Sequence, residues 1–94
     1  MSLIDEPARL ALARGVRLQT DPKNKQPVLL FPEGAIYLNE TAHDIVTRCV
    51  GQLSAKGIIA SLATAYETDP ESLRKDVLDC LRDLLERKLL VLAK

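Results

Sequence analysis

Val28-Leu29-Leu30-Phe31-Pro32-Glu33-Gly34-Ala35-Ile36-Tyr37-Leu38-Asn39 sets two short apolar runs on either side of Pro-Glu-Gly. Pro presets φ and Gly permits φ > 0, so this triplet is a tight turn and the runs beside it are paired strands. Pro27 has no N–H to give a ladder and can only start the earlier strand. Upstream, Asp21-Pro22-Lys23-Asn24-Lys25-Gln26 is a second turn cluster. Before it, Val16, Leu18 and Thr20 alternate with Arg17 and Gln19, the period-2 pattern of a strand with one buried face. Three strands on short connections predict an antiparallel meander.

Downstream of Leu38 the period becomes helical. Asn39 is a good N-cap, and Ala42, Ile45, Val46 and Cys49 share one face of a first helix that Gly51 ends. Ser54 caps a second helix with Ile58, Ile59, Leu62, Ala63 and Tyr66 inside, although Gly57 is a weak helix former in its first turn. Thr68-Asp69-Pro70-Glu71 reads as a capping box with Pro in the first turn of a third helix that runs to about Lys88. Leu89-Leu90-Val91-Leu92 is either a strand or a packed tail. Residues 1–14 read as a single helical turn or a mobile arm. The predicted class is α+β and winged-helix-like: a three-stranded antiparallel sheet followed by three helices, in one domain over residues 15–94.

Ninety-four residues make one domain with a modest core, too small for an elaborate enclosed active site. Thirteen basic residues balance thirteen acidic ones, which disfavours a basic nucleic-acid binder or a polybasic membrane-surface protein. Three aromatics, Phe31, Tyr37 and Tyr66, are too few for a base-stacking platform. Cys49 and Cys80 lie in separate apolar segments and read as reduced, buried thiols, which favours the cytoplasm. No apolar run reaches the roughly 18–20 residues of a membrane span, and the N-terminus has no signal-peptide pattern.

The residues offer little chemistry. His43 has no partners at metal-ligand spacing, and no phosphate-cradling loop or nucleophile motif is present. Neither a metal nor a cofactor is expected. The carboxylates of the third helix sit beside cations, as in Asp79/Arg82 and Asp83/Arg87, the pattern of a solvated, salt-bridged face. That helix has one less ordinary property. Around Leu73, the side chains Val77, Cys80 and Leu84 fall within about 40°, and Leu81, Leu85 and Leu78 extend the apolar arc to about 160°. One core contact needs little more than ~100°. Two readings fit: part of the arc faces a groove, or the tail at 89–92 and the N-terminal arm cover the excess. On this wheel Leu73, Val77 and Leu84 are the expected core, and Leu78, Cys80, Leu81 and Leu85 are the margins where a groove would begin.

The third strand, Ala35-Ile36-Tyr37-Leu38, supplies the other half. Its outer edge would be unpaired and carries no Lys, Pro or other guard. Such an edge receives a peptide as an added strand, unless residues 89–92 pair with it. It also favours a homodimer, by strand pairing or segment exchange.

Arg14-Gly15-Val16-Arg17-Leu18, Val28-Leu29-Leu30-Phe31-Pro32-Glu33-Gly34 and Leu38-Asn39-Glu40-Thr41-Ala42, with Ile58-Ile59, Leu62, Tyr66, Asp76-Val77, Leu81 and Leu84, resemble the pyrroloquinoline quinone biosynthesis protein D (PqqD) family over residues 14–92. Gly57 departs from the pattern, where the family more often has a polar helix former such as Glu. The resemblance implies a non-enzymatic peptide chaperone that binds the precursor peptide PqqA and presents it to the radical S-adenosylmethionine enzyme PqqE. It implies a peptide lying along strand three and beside helix three, here Ala35, Ile36, Tyr37 and Leu38 with Val77, Leu78, Cys80, Leu81, Leu84 and Leu85. The alternative that the fold class permits is a winged-helix DNA-binding protein. Five cations against five carboxylates between Pro70 and Lys88 give its would-be reading helix no footprint for phosphates.

Overall fold

The computed structural model describes residues 9–93. In chain order the elements are β1 (Arg9–Leu12), β2 (Arg17–Thr20), β3 (Pro27–Phe31), β4 (Gly34–Tyr37), α1 (Glu40–Val46), β5 (Val50–Ser54), α2 (Ala55–Tyr66), α3 (Pro70–Glu86) and β6 (Leu90–Ala93). The class is α+β, with three helices and two antiparallel three-stranded sheets.

The predicted meander forms as β2-β3-β4. Leu18, Leu29 and Ile36 stand opposite one another across its three strands and lie against the hydrophobic core. The second sheet, β5-β1-β6, was not expected. Residues 9–12 of the predicted arm are its central strand, and the rest of that arm, residues 1–8, lies outside the described residues. β6 pairs with β1, from Arg9↔Ala93 to Leu12↔Leu90, so the C-terminal apolar run is a strand and does not pair with β4. The first helix stops at Val46, well short of Gly51. The last bonds there tighten to i→i−3, Arg48 N–H on the Ile45 carbonyl (3.1 Å) and Cys49 N–H on the Val46 carbonyl (2.9 Å), and the Arg48 side chain holds the end. Its Nη1 donates to the Asp44 carbonyl (2.8 Å), one of the acceptors a helix end leaves open, and its Nε donates to Ser61 Oγ on α2 (2.8 Å). The freed segment becomes β5, whose register against β1 shifts between Arg9 and Ala11. Gly51, at φ +85°, supplies the left-handed residue in that irregular stretch.

The caps follow the sequence with one correction. Asn39 Oδ1 accepts the Ala42 N–H at 2.7 Å, and Ser54 Oγ accepts the Gly57 N–H. The third helix is capped by Asp69, one residue later than the Thr68 box, with Pro70 at its first position. Its core face also differs from the predicted wheel. Leu81 is fully buried and central, flanked by buried Val77, Leu78 and Leu84, while Leu73, Cys80 and Leu85 are half-buried. Leu78 and Leu81 are therefore core residues rather than margins, and Leu73 is a margin rather than core. α3 is rotated to meet two surfaces at once, since it packs on α2 and on β6.

Candidate functional site

β4 is the edge strand of its sheet, and among the described residues nothing pairs with its outer side. Antiparallel residues alternate between pairs that exchange hydrogen bonds and pairs that do not. The Leu38 N–H donates to the Pro27 carbonyl at 2.9 Å. With Leu29 opposite Ile36 and Phe31 opposite Gly34, that bond assigns the backbone of Gly34, Ile36 and Leu38 to the ladder with β3. The N–H and C=O groups of Ala35 and Tyr37 consequently point outward from the edge. Side chains alternate across the other axis. Ile36 and Leu38 turn toward the core, and Ala35 and Tyr37 face solvent.

Tyr37 is 56% exposed yet anchored. Its hydroxyl donates to Asp21 Oδ2 at 2.6 Å, tying the edge strand to the β2–β3 turn. That bond, with the Lys23 N–H, holds the Asp21 carboxyl below its ordinary range, and the carboxylate in turn raises the Tyr37 phenol.

From the end of β4 the chain enters α1, whose first turns face the flank of α3. Between them lies an open cleft of about 250 Å³, lined by Asn39, Thr41, Ala42 and Ile45 on one side and Asp76 and Cys80 on the other. On the α3 wheel Cys80 and Leu85 lie on opposite sides of Leu81. The cleft opens on the Cys80 side.

The site residues expected from the sequence therefore divide. Ala35 and Tyr37 present the edge. Cys80 lines the cleft. Ile36, Leu38, Val77, Leu78, Leu81 and Leu84 form the packed layer beneath, and Leu85 belongs to the other flank. Thr41, Ala42 and Asp76 were missed as site residues. The available signals were a small side chain early in the first helix and a carboxylate four residues before Cys80, on the same flank.

Burial pushes the Cys49 thiol up to about 12, and burial followed by the nearby Asp83 raises that of Cys80, so both stay protonated near neutral pH. Among the described residues no group of three His, Cys, Asp or Glu side chains could hold a metal ion, and no helix is long and apolar enough to cross a membrane. The outer face of α3 is salt-bridged as predicted: Lys75–Asp79 at 3.0 Å, Arg87–Asp83 at 3.1 Å and Arg82–Asp79 at 3.9 Å.

Fold and site together define a small α+β domain that offers an open strand edge beside a helix-lined cleft. The profile of one family, coenzyme PQQ synthesis protein D (PqqD), matches residues 27–90. The PqqA binding protein of Xanthomonas campestris pv. campestris is 36% identical over 90 residues, which are 96% of this chain and 98% of that protein. The PqqA binding protein of Rhizobium meliloti is 37% identical over 79 residues, 84% and 81% of the two chains. Among solved structures, the PqqD truncation of Methylobacterium extorquens PqqCD, a stand-alone recognition element for ribosomally synthesized and post-translationally modified peptides, superposes with a TM-score of 0.74 at 30% identity over 87% of each chain. The crystal structure of PqqD from Xanthomonas campestris gives 0.57 at 32% identity over 95% and 96%. The chain belongs to the PqqD family.

Proposed function

We propose that this protein is a peptide chaperone of pyrroloquinoline quinone biosynthesis. It binds the precursor peptide PqqA as an added strand on β4 and presents it to the radical S-adenosylmethionine enzyme PqqE, with no chemical step of its own. The observation that carries this reading is the open β4 edge, with the Ala35 and Tyr37 backbone groups aimed outward next to the cleft at Cys80. Backbone pairing gives affinity that tolerates sequence, and the cleft selects the side chain that enters it. Holding the peptide beside the enzyme raises its effective concentration there. The names of the relatives, PqqA binding proteins, support the same partner.

Calorimetry with synthetic PqqA peptide is expected to give a dissociation constant in the micromolar range or below. Cys80→Gln, which fills the cleft, should weaken binding by about tenfold or more, a loss of ~1.4 kcal/mol or more, at nearly unchanged melting temperature. Leu85→Gln should leave affinity within about twofold of the parent protein. Equal losses for both variants, in step with lost stability, would remove the cleft from the binding site.

The same edge suits a second copy of the chain, by strand pairing or segment exchange. Light scattering across a concentration series should then detect a dimer that PqqA peptide dissociates. A monomer at every concentration rules out the dimer and leaves peptide binding intact.

A further inference from the structure

The sheet β2-β3-β4 has a second face, turned away from the core. Two rows of residues stand on it, Arg17–Leu30–Ala35 and Gln19–Val28–Tyr37. Leu30 and Val28 lie outside the hydrophobic core, yet Val28 is only 6% exposed. Tyr37 supplies the cover. Its hydroxyl reaches Asp21, which continues β2 with its N–H on the Gln26 carbonyl (2.8 Å). With strands about 4.8 Å apart, a side chain that starts on β4 and ends beside β2 must lie across β3, next to Val28. The ring is thus held flat on the outer face, with its upper side open to water. An aromatic fixed in advance is an effective anchor for a protein interface, since it has little freedom left to lose.

This anchor adjoins the open edge. Alternate side chains of a strand point to opposite faces of its sheet, so a peptide strand added to β4 divides its residues. Those level with Ile36 turn to the core side, where the Cys80 cleft lies. Those level with Ala35 and Tyr37 join the outer face, and the row Arg17–Leu30–Ala35 continues into the peptide. Charge on this face is unbalanced. Arg17, with Lys23 and Lys25 in the turn that Tyr37 reaches, is exposed, and none of the three has an ion-pair partner among the described residues. Tyr37 engages Asp21, and Glu33, the other carboxylate between residues 17 and 37, is in the β3–β4 turn at the other end from the lysines.

We propose that this outer face is the docking surface for the enzyme that modifies the bound peptide, PqqE in the reading above, on which the inference rests. The enzyme meets it with an apolar patch flanked by carboxylates. The patch covers Leu30, Ala35 and the Tyr37 ring, and the carboxylates face Arg17, Lys23 and Lys25. The outward side chains of the peptide belong to the same surface, so one contact recognises carrier and cargo together. A second copy of the chain would bring the same cationic rim and fits less well.

The test is calorimetric titration of the protein into PqqE, both free and saturated with PqqA peptide. Leu30→Lys and Arg17→Glu should each weaken binding to PqqE about tenfold or more. Both should keep PqqA affinity within about twofold, because they lie on the two strands behind the edge. Arg17→Glu, exposed on β2, should also keep its melting temperature. Lys56→Glu, exposed on α2, should change neither affinity. An alanine scan of the PqqA peptide should show the division by alternation: residues that strengthen the complex with PqqE should alternate with those that strengthen binding to this protein alone. No PqqE binding by the parent protein, or full PqqE affinity in both Arg17→Glu and Leu30→Lys, overturns the inference. A loss that follows the melting temperature in both variants does the same. If the two variants instead abolish a homodimer seen by light scattering and bind PqqE normally, the face belongs to a second copy. A parent protein that binds PqqE through Arg17 and Leu30 but takes up no PqqA peptide overturns the β4 reading and leaves the docking face standing.

Discussion

Leu10→Asp is expected to leave the chain without a cooperative fold. Leu10 is fully buried in β1, the strand that both β5 and β6 use as their partner. An unpaired carboxylate in that place must either stay charged without water or take up a proton, and each costs several kcal/mol. A domain of this size has only about 5–15 kcal/mol to lose. The effect should spread, because β1 holds the C-terminal strand through the Leu10↔Leu92 and Leu12↔Leu90 registers and covers the base of α2 through β5. The gentler Leu10→Ala should cost about 2–5 kcal/mol, or roughly 10–30 °C of melting temperature in a domain of this length. Circular dichroism melts of the two variants check both values. A native-like melt for Leu10→Asp would mean that residues 9–12 are dispensable, as a mobile arm would be.

That arm marks where a reading of the sequence ran short. The meander was legible because its signals are local: Pro32-Glu33-Gly34 and residues 21–26 fix turns, and the registers follow from adjacent runs. The second sheet has no such signal. Arg9 pairs with Ser54 on one side and Ala93 on the other, partners that no turn chemistry connects to it. Four residues of Arg-Leu-Ala-Leu between charges fit a helical turn as well as a strand until those partners are known. β5 was hidden for a related reason. Cys49 falls at helical spacing from Ile45 and is buried, so it extended the helical pattern, although Arg48 had already closed the helix end. In α3 the width of the apolar arc was correct and its rotation was not. By spacing to Val77 and Leu84 Leu73 is central, but it sits in the first turn and is only half-buried, and Leu81 takes the centre. The β4 edge needed no rotation angle, because strand order and the absence of a guard residue in Ala35-Ile36-Tyr37-Leu38 are properties of the chain itself.

Ala35→Pro should separate peptide binding from folding at that edge. The Ala35 N–H points away from β3, so proline removes no ladder bond, and edge strands are the one part of a sheet that accepts proline. Gly34 before it is free to take the extended backbone that a following proline demands. The fold should therefore survive with a fall of a few degrees in melting temperature. An incoming strand loses much more. It finds one donor of the edge gone and the ring methylenes projecting where its own carbonyl would lie, so its neighbouring bonds lengthen as well. A lost hydrogen bond of this kind is worth about 0.5–1.5 kcal/mol, and a carbonyl buried without a partner adds about 1–3 kcal/mol. The expected weakening is therefore about tenfold to a thousandfold. Ile36→Pro is the contrast. Its N–H belongs to the ladder with Leu29, so it should unfold the meander whether or not peptide is present. Calorimetry with PqqA peptide and thermal melts on both variants decide the matter. If Ala35→Pro keeps full affinity in a folded protein, the peptide does not pair with β4, and binding must be sought in side-chain contacts at the Cys80 cleft alone.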